Sequence, residues 1–207
     1  CHAVQPVKRL SGATLGIVGF GRIGQATAQR ARAMRMRVIA YDPYLRPGTE
    51  KVFGVEMVSF EELLSTSDVV SLHAPLTKET EGLIDNEALS RMKSDSILVN
   101  TSRGSVVNTA ALAKALRSGK IAAAGIDVLP IEPASEDEPL IQLWREADET
   151  NVNLIITPHT AFYSAEAMLE IRTKTATEVA RALRGEKLVN CVNSQWLPDK
   201  VRERVLI

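Results

Sequence analysis

Apolar residues fall in short, nearly continuous runs at 14–18, 37–41, 68–72, 96–100, 121–128 and 153–157, and the stretches between them repeat apolar positions at helical spacing. Runs of that length read as strands, so the chain predicts strands alternating with helices. A run such as Ser96 to Asn100, apolar at its centre on both sides of the pleat, predicts burial on both faces, as parallel sheets require. The expected fold class is α/β, a doubly wound parallel sheet. Helices are expected over 25–34, 60–64, 86–92 and 109–116, with Ser59, Asp85 and Asn108 as N-caps and Gly119 as a stop. A last long helix is expected over 164–184, stopped by Gly185, with Ala167, Met168, Ile171, Val179 and Leu183 turned toward the sheet. On that reading Met168 belongs to the core rather than to a ligand. Beyond it, 188–193 reads as an extended tail followed by a short helix from about Pro198. The acidic run Glu136-Asp137-Glu138 reads as a solvated loop.

Composition narrows the function classes. The 207 residues are 45% hydrophobic and 24% charged, enough for one substantial core. Lys+Arg and Asp+Glu are balanced at 25 each, so no overall field draws the chain to nucleic acid or to a membrane surface. No apolar run approaches the roughly 20 residues of a bilayer span, and no signal peptide precedes the first strand, so a cytoplasmic location is expected. Cys1 and Cys191 are too few for a disulfide framework or a metal cluster, and no metal site is expected. The chain starts with Cys rather than Met, close to its first strand, which reads as a natural N-terminal part left out.

The first strand feeds the turn Gly19-Phe20-Gly21-Arg22-Ile23-Gly24, and a helix follows. In this setting each glycine has a separate job. Gly19 makes the tight turn, Gly21 lets a pyrophosphate approach the backbone, and Gly24 lets the helix pack on the strand. The helix N-terminus offers free N–H groups to an anion, and Arg22 can add a charged contact. The second strand ends at Asp42, 18 residues beyond Gly24, where a carboxylate suits a ribose diol. Together these features predict a Rossmann-type dinucleotide site. Asp42 favours NAD over NADP, because its charge repels a 2′-phosphate; Arg46 folded back over the ribose would tolerate the phosphate, but Pro43 turns the chain away.

Polar residues just beyond strand ends are the candidates for chemistry, because an open parallel sheet binds its ligand there. Three strand ends supply them: Arg103 after 96–100, Glu132 after 121–128, and His159 after 153–157. Beside a nicotinamide, His159 is the natural acid/base, Glu132 orients the ring and favours its protonated form, and Arg103 holds a substrate carboxylate. That trio predicts a 2-hydroxy or 2-oxo acid as substrate. Singly, each residue has an ordinary explanation as a helix-start arginine, a loop acid or a capped histidine. His73, at the end of 68–72, is a rival acid/base that is assigned instead to shaping the cofactor pocket.

The segments Gly19 to Gly24, Tyr41-Asp42-Pro43, His73-Ala74-Pro75-Leu76-Thr77, Asn100-Thr101-Ser102-Arg103-Gly104, Gly125-Ile126-Asp127-Val128 through Glu132-Pro133, and Thr157-Pro158-His159-Thr160-Ala161 resemble the D-isomer-specific 2-hydroxyacid dehydrogenases. The resemblance covers about residues 10–190. It implies catalytic roles for Arg103, Glu132 and His159, and NAD contacts at Arg22, Ile23, Asp42, Ala74, Thr101, Ser102 and Asp127. It further implies a residual interdomain segment at 1–10, an NAD-binding domain at 11–186 and a tail at 187–207. A separate N-terminal substrate domain, which closes over the nicotinamide in that family, is absent from this chain, so poor turnover by the chain alone is expected. A homodimer formed through the cofactor domain is expected as well. Tyr41 to Leu45, Ala161 to Ser164 and Asn190 to Asn193 look most like the C-terminal-binding-protein branch, which includes NAD(H)-binding corepressors. The alternative to an enzyme is accordingly an NAD(H)-sensing interaction module, acting through protein partners because no basic stripe for DNA is present. Phosphoglycerate dehydrogenase is a less close resemblance, and formate dehydrogenase is disfavoured by Glu132.

Overall fold

A computed structural model describes residues 9–147 and 152–189, together with 191, 198 and 199. Segment 1–8, with Cys1 and His2, and most of the expected tail and short terminal helix lie outside the described residues. Seven strands form one sheet: β1 (Thr14–Val18), β2 (Arg37–Tyr41), β3 (Glu56–Met57), β4 (Val69–Leu72), β5 (Ile97–Asn100), β6 (Ala123–Ile126) and β7 (Asn153–Ile156). Every pairing is parallel and the order is β3-β2-β1-β4-β5-β6-β7. The order reverses between β1 and β4. That switch point opens a crevice at the C-terminal ends of the two strands.

The helices are α1 (Arg22–Ala33), α2 (Thr49–Phe53), α3 (Phe60–Thr66), α4 (Asn86–Arg91), α5 (Thr109–Arg117), α6 (Pro139–Arg145) and α7 (Ala165–Arg184). All three expected side-chain caps are made: Ser59 accepts from Glu62 N, Asp85 from Ala88 N and Asn108 from Ala111 N. Each satisfies a donor that the first helical turn cannot pair internally. The chain divides into two compact units, Cys1–Ala161 with the sheet and Phe162–Ile207 with α7.

Alternation along the strands separates two clusters in the first unit. Ile17, Val38 and Ala40 join Phe20 and Ala28, whereas Val18 and Ile39 join Leu63, Leu72, Leu98 and Leu112.

Several expectations need correction. Strand β3 and helices α2 and α6 are not marked by the apolar runs. The two residues of β3 are Glu56 and Met57, held by pairing with Ile39 and Ala40 rather than by their own hydrophobicity. Within the supposed acidic loop, Glu138 caps α6 by accepting from Leu140 N, Pro139 opens the first turn, and Leu140 and Leu143 are fully buried. Strand β5 is not buried on both faces: Leu98 is inaccessible but Ile97 is 38% exposed, and on β7 Ile155 is 63% exposed. Helix α7 forms as expected and stops at Gly185, yet none of its residues is buried, and Ile171, Val179 and Leu183 are exposed. An apolar stripe marks a face able to pack, without naming what packs on it.

Leu98 sits at the centre of the larger cluster, so Leu98→Ala should lower unfolding free energy by about 2–5 kcal/mol, read as a reduced urea midpoint at unchanged slope.

Candidate active site

The glycine turn leaves β1 at the switch point. Gly19 has φ +90°, and a Cβ there would stand 2.6 Å from Ala74 N in the loop leaving β4, so only glycine lets the two loops close up. Gly24 faces the Gly19 carbonyl just as closely. A Cβ on Gly21, in contrast, would meet nothing within 4 Å. The space beside Gly21 is therefore open to a ligand at the N-terminus of α1, where Arg22 is exposed and Ile23 is 65% exposed. This is the cradle a dinucleotide pyrophosphate needs.

Asp42, at the end of β2, accepts from Phe20 N through Oδ2 at 2.8 Å and from Tyr44 N through Oδ1 at 2.9 Å. The carboxylate thus fixes the glycine turn to its own loop. Each oxygen keeps lone-pair capacity for a ribose hydroxyl. A cavity of about 400 Å³ lies beside it, floored by Val18, Tyr41, Ala74 and Leu83. Its size and apolar floor suit the adenosine end of the cofactor. His73 is partly buried, its Nε2 lies 3.0 Å from Ser71 Oγ, and burial lowers its pKa from the ordinary value.

The catalytic candidates stand on three neighbouring strands, β5, β6 and β7. At the end of β5, buried Asn100 accepts through Oδ1 from Ser102 N and Ser102 Oγ, and its Nδ2 donates to the Arg103 carbonyl at 3.0 Å. Sequence reading missed this role of Asn100; the signal was a buried amide directly before a turn. Gly104 then lies against the Leu129 carbonyl with no room for a Cβ, which brings the loops of Arg103 and Glu132 together backbone to backbone. Thr101 is exposed, and Ser102 is buried through its bond to Asn100.

Glu132 uses both oxygens: Oε1 accepts from Leu129 N at 2.9 Å, and Oε2 lies 2.7 Å from His159 Nδ1. The His159 bond, first among the causes, and the Leu129 N–H outweigh the opposing effect of burial and lower the Glu132 pKa. Arg103 is not joined to this pair in the same way. Its Nη1 donates to the Ser102 carbonyl at 2.6 Å, so its fork must turn outward to meet a carboxylate.

Asp127 has a role the sequence did not reveal. Beside the expected cofactor contact, it turns its carboxylate into the His159 loop, accepting from Thr157 Oγ1 at 2.5 Å, Thr160 N at 2.9 Å and Ala161 N at 3.0 Å. Its carbonyl also accepts from His159 N at 2.9 Å. Histidine 159 has φ +53°, a left-handed conformation that costs a non-glycine residue about 1–3 kcal/mol and persists only where neighbours enforce it. Asp127 supplies that enforcement. Burial raises its pKa, but the three donated hydrogen bonds and the nearby His159 outweigh burial and leave it lowered.

Comparison with known proteins adds to this geometry. Residues 2–161 match the model of the D-isomer specific 2-hydroxyacid dehydrogenase, NAD binding domain. The chain belongs to that family. It is 47% identical over 184 residues to the glyoxylate reductase of Korarchaeum cryptofilum, covering 89% of this chain and 53% of that protein. It is 44% identical over 182 residues to the D-3-phosphoglycerate dehydrogenase of Mycobacterium leprae, covering 88% of this chain and 33% of that protein. The chain therefore spans between a third and about half the length of these relatives. Among solved structures, a glyoxylate reductase from Paecilomyes thermophila superposes with TM-score 0.80 at 34% identity, covering 94% of this chain and 56% of that one. A D-lactate dehydrogenase from Aquifex aeolicus, complexed with NAD and lactic acid, superposes with TM-score 0.78 at 37% identity, covering 87% and 56%. These relatives are named as dehydrogenases and reductases, which lends the corepressor reading and its branch no support.

Two predictions separate ligand binding from folding. Gly21→Ala should leave the unfolding free energy within about 0.5 kcal/mol while weakening NADH binding, whereas Gly19→Ala should cost about 1–3 kcal/mol of stability without ligand. Fluorescence titration and urea unfolding of both variants read the difference. Asp127→Asn should cost about 1–3 kcal/mol at neutral pH. Because the Asp127 pKa is lowered in the fold, its contribution is complete above the unfolded value and fades as pH falls through the folded one. The gap between wild type and variant in urea unfolding should therefore close only below the ordinary aspartate range.

Proposed function

We propose that this chain is the cofactor-binding domain of an NAD-dependent oxidoreductase that interconverts a D-2-hydroxy acid and its 2-oxo acid. The observation that carries the reading is the 2.7 Å contact between Glu132 Oε2 and His159 Nδ1 at the C-terminal edge of the sheet. NAD(H), when bound, supplies or takes up the hydride. The glycine turn from Gly19 to Gly24 would hold its pyrophosphate and Asp42 its adenosine ribose, with Arg22, Ile23, Ala74, Thr101 and Ser102 along the same rim.

The proton and the substrate carboxylate fall to side chains of this chain. Glu132 fixes His159 by its Nδ1, and Nε2 is the nitrogen assigned to exchange a proton with the substrate oxygen. The carboxylate stabilises the imidazolium before that proton is given up in the reducing direction. Arg103, rotated off the Ser102 carbonyl, would clamp the substrate carboxylate and fix which face of the carbonyl is presented. A homodimer, supported by the family resemblance, and a cytoplasmic location complete the proposal.

In the complete protein, His159→Ala should lower kcat for NADH-dependent reduction of 2-oxo acids by about 10²–10⁴-fold while the NADH Kd stays within about twofold. Glu132→Gln should lower kcat less, since Nε2 remains in place. Steady-state assays over a panel of 2-oxo acids, paired with NADH titration, test both. Normal turnover by His159→Ala would exclude the assigned chemistry.

A further inference from the structure

Two loops that line the adenosine cavity are joined by a bond that the catalytic reading does not use. The Tyr44 hydroxyl, from the loop after β2, donates to Glu79 Oε2, from the loop after β4. Both residues line the cavity, and Tyr44 is otherwise 75% exposed. An exposed phenol is thus held on a carboxylate of the facing loop at the cavity's edge.

The two ends of this bond are not loose. Tyr44 N donates to Asp42 Oδ1 at 2.9 Å, so the tyrosine is tied by its backbone to the ribose-facing acid. On the other side Thr80 Oγ1 donates to the Pro75 carbonyl at 2.6 Å and accepts from Thr77 N at 2.8 Å, while Glu79 N donates to Thr77 Oγ1 at 3.2 Å. Thr77 and Thr80 thus fold the 75–80 loop into a turn that presents Glu79 to the opening. The chain of contacts runs from Phe20 N through Asp42, Tyr44 and Glu79 to the 75–80 turn, and Ala74 returns it to Gly19. The Tyr44 phenol is held above its usual pKa by its hydrogen bond to Glu79, so the donor stays protonated at neutral pH.

We propose that Tyr44 and Glu79 form a clasp over the adenosine end of the dinucleotide and act as positioning residues that favour an unphosphorylated ribose. The proposal rests on the NAD reading above. Tyr44 supplies a ring over an apolar cavity suited to a purine, and Glu79 adds a second carboxylate to Asp42 on its rim. Lys78 lines the same cavity and is, with Arg46, a cation that a 2′-phosphate would seek; Glu79 beside it opposes that attraction.

The test is ligand titration of the complete protein and of its Tyr44→Phe, Glu79→Gln and doubly substituted variants with NADH, NADPH, ADP-ribose and nicotinamide mononucleotide. Each single change should raise the Kd for NADH and ADP-ribose by about threefold to tenfold, the value of one hydrogen bond, and the double change should add little more. Binding of nicotinamide mononucleotide should not move, and Glu79→Gln should narrow the gap between NADH and NADPH. Circular dichroism confirms that the variants are folded. ADP-ribose affinity within twofold of wild type in folded Tyr44→Phe and Glu79→Gln would overturn the clasp and leave the NAD reading standing. Failure of the unaltered protein to bind NADH or ADP-ribose would overturn the reading itself, and the clasp with it.

Discussion

The arrangement depends above all on the carboxylate of Asp127. A buried acid at the end of β6 gathers three donors from the loop after β7, and its carbonyl takes a fourth from His159 itself. Charged acceptors make hydrogen bonds roughly twice as strong as neutral pairs, and partial burial shields these from water. The result is a loop that keeps a histidine in left-handed backbone geometry with its Nδ1 against Glu132. Without that anchor, a solvent-exposed acid and imidazole would meet only transiently, since exposed ion pairs contribute little by themselves.

The same economy recurs along the sheet edge. Asn100 shapes the Arg103 turn, Asp42 shapes the turn that carries Tyr44, and Glu132 closes on Leu129 N before it reaches His159. At each strand end one polar side chain satisfies backbone donors that the sheet leaves unpaired. The parallel sheet then places those ends side by side, so residues far apart in the chain become neighbours without long connecting structure. The β1–β4 reversal makes the cofactor crevice, and the β5-β6-β7 succession brings the loops of Arg103, Glu132 and His159 to one edge.

Much of this was legible in the chain. The strands β1 and β2 fall where the apolar runs stand, and Ser59, Asp85 and Asn108 cap their helices, because those signals are local. Glycine spacing gave the turn because close backbone approach tolerates no substitute at Gly19. What escaped was non-local. Helix α6 hides behind an acidic run that serves as its cap, β3 exists through its partner strand, and the Asp127 anchor depends on a loop 30 residues away. The exposed stripe of α7 shows the converse, since periodicity reveals a face but not its partner. Arg103 follows β5 as its spacing from the apolar run implies, while the direction of its guanidinium is a rotamer choice that spacing does not encode.

The proposed chemistry requires that hydrogen pass directly between cofactor and substrate while His159 handles only the proton. The most direct measurement supplies the complete protein with reduced NAD carrying deuterium at both C4 positions and a panel of 2-oxo acids, and reads the product by mass spectrometry and chiral chromatography. One deuterium bonded to C2 of a single D-2-hydroxy acid enantiomer is the expected result. Reduced product without that deuterium, a racemic product, or no product from any 2-oxo acid would contradict the account.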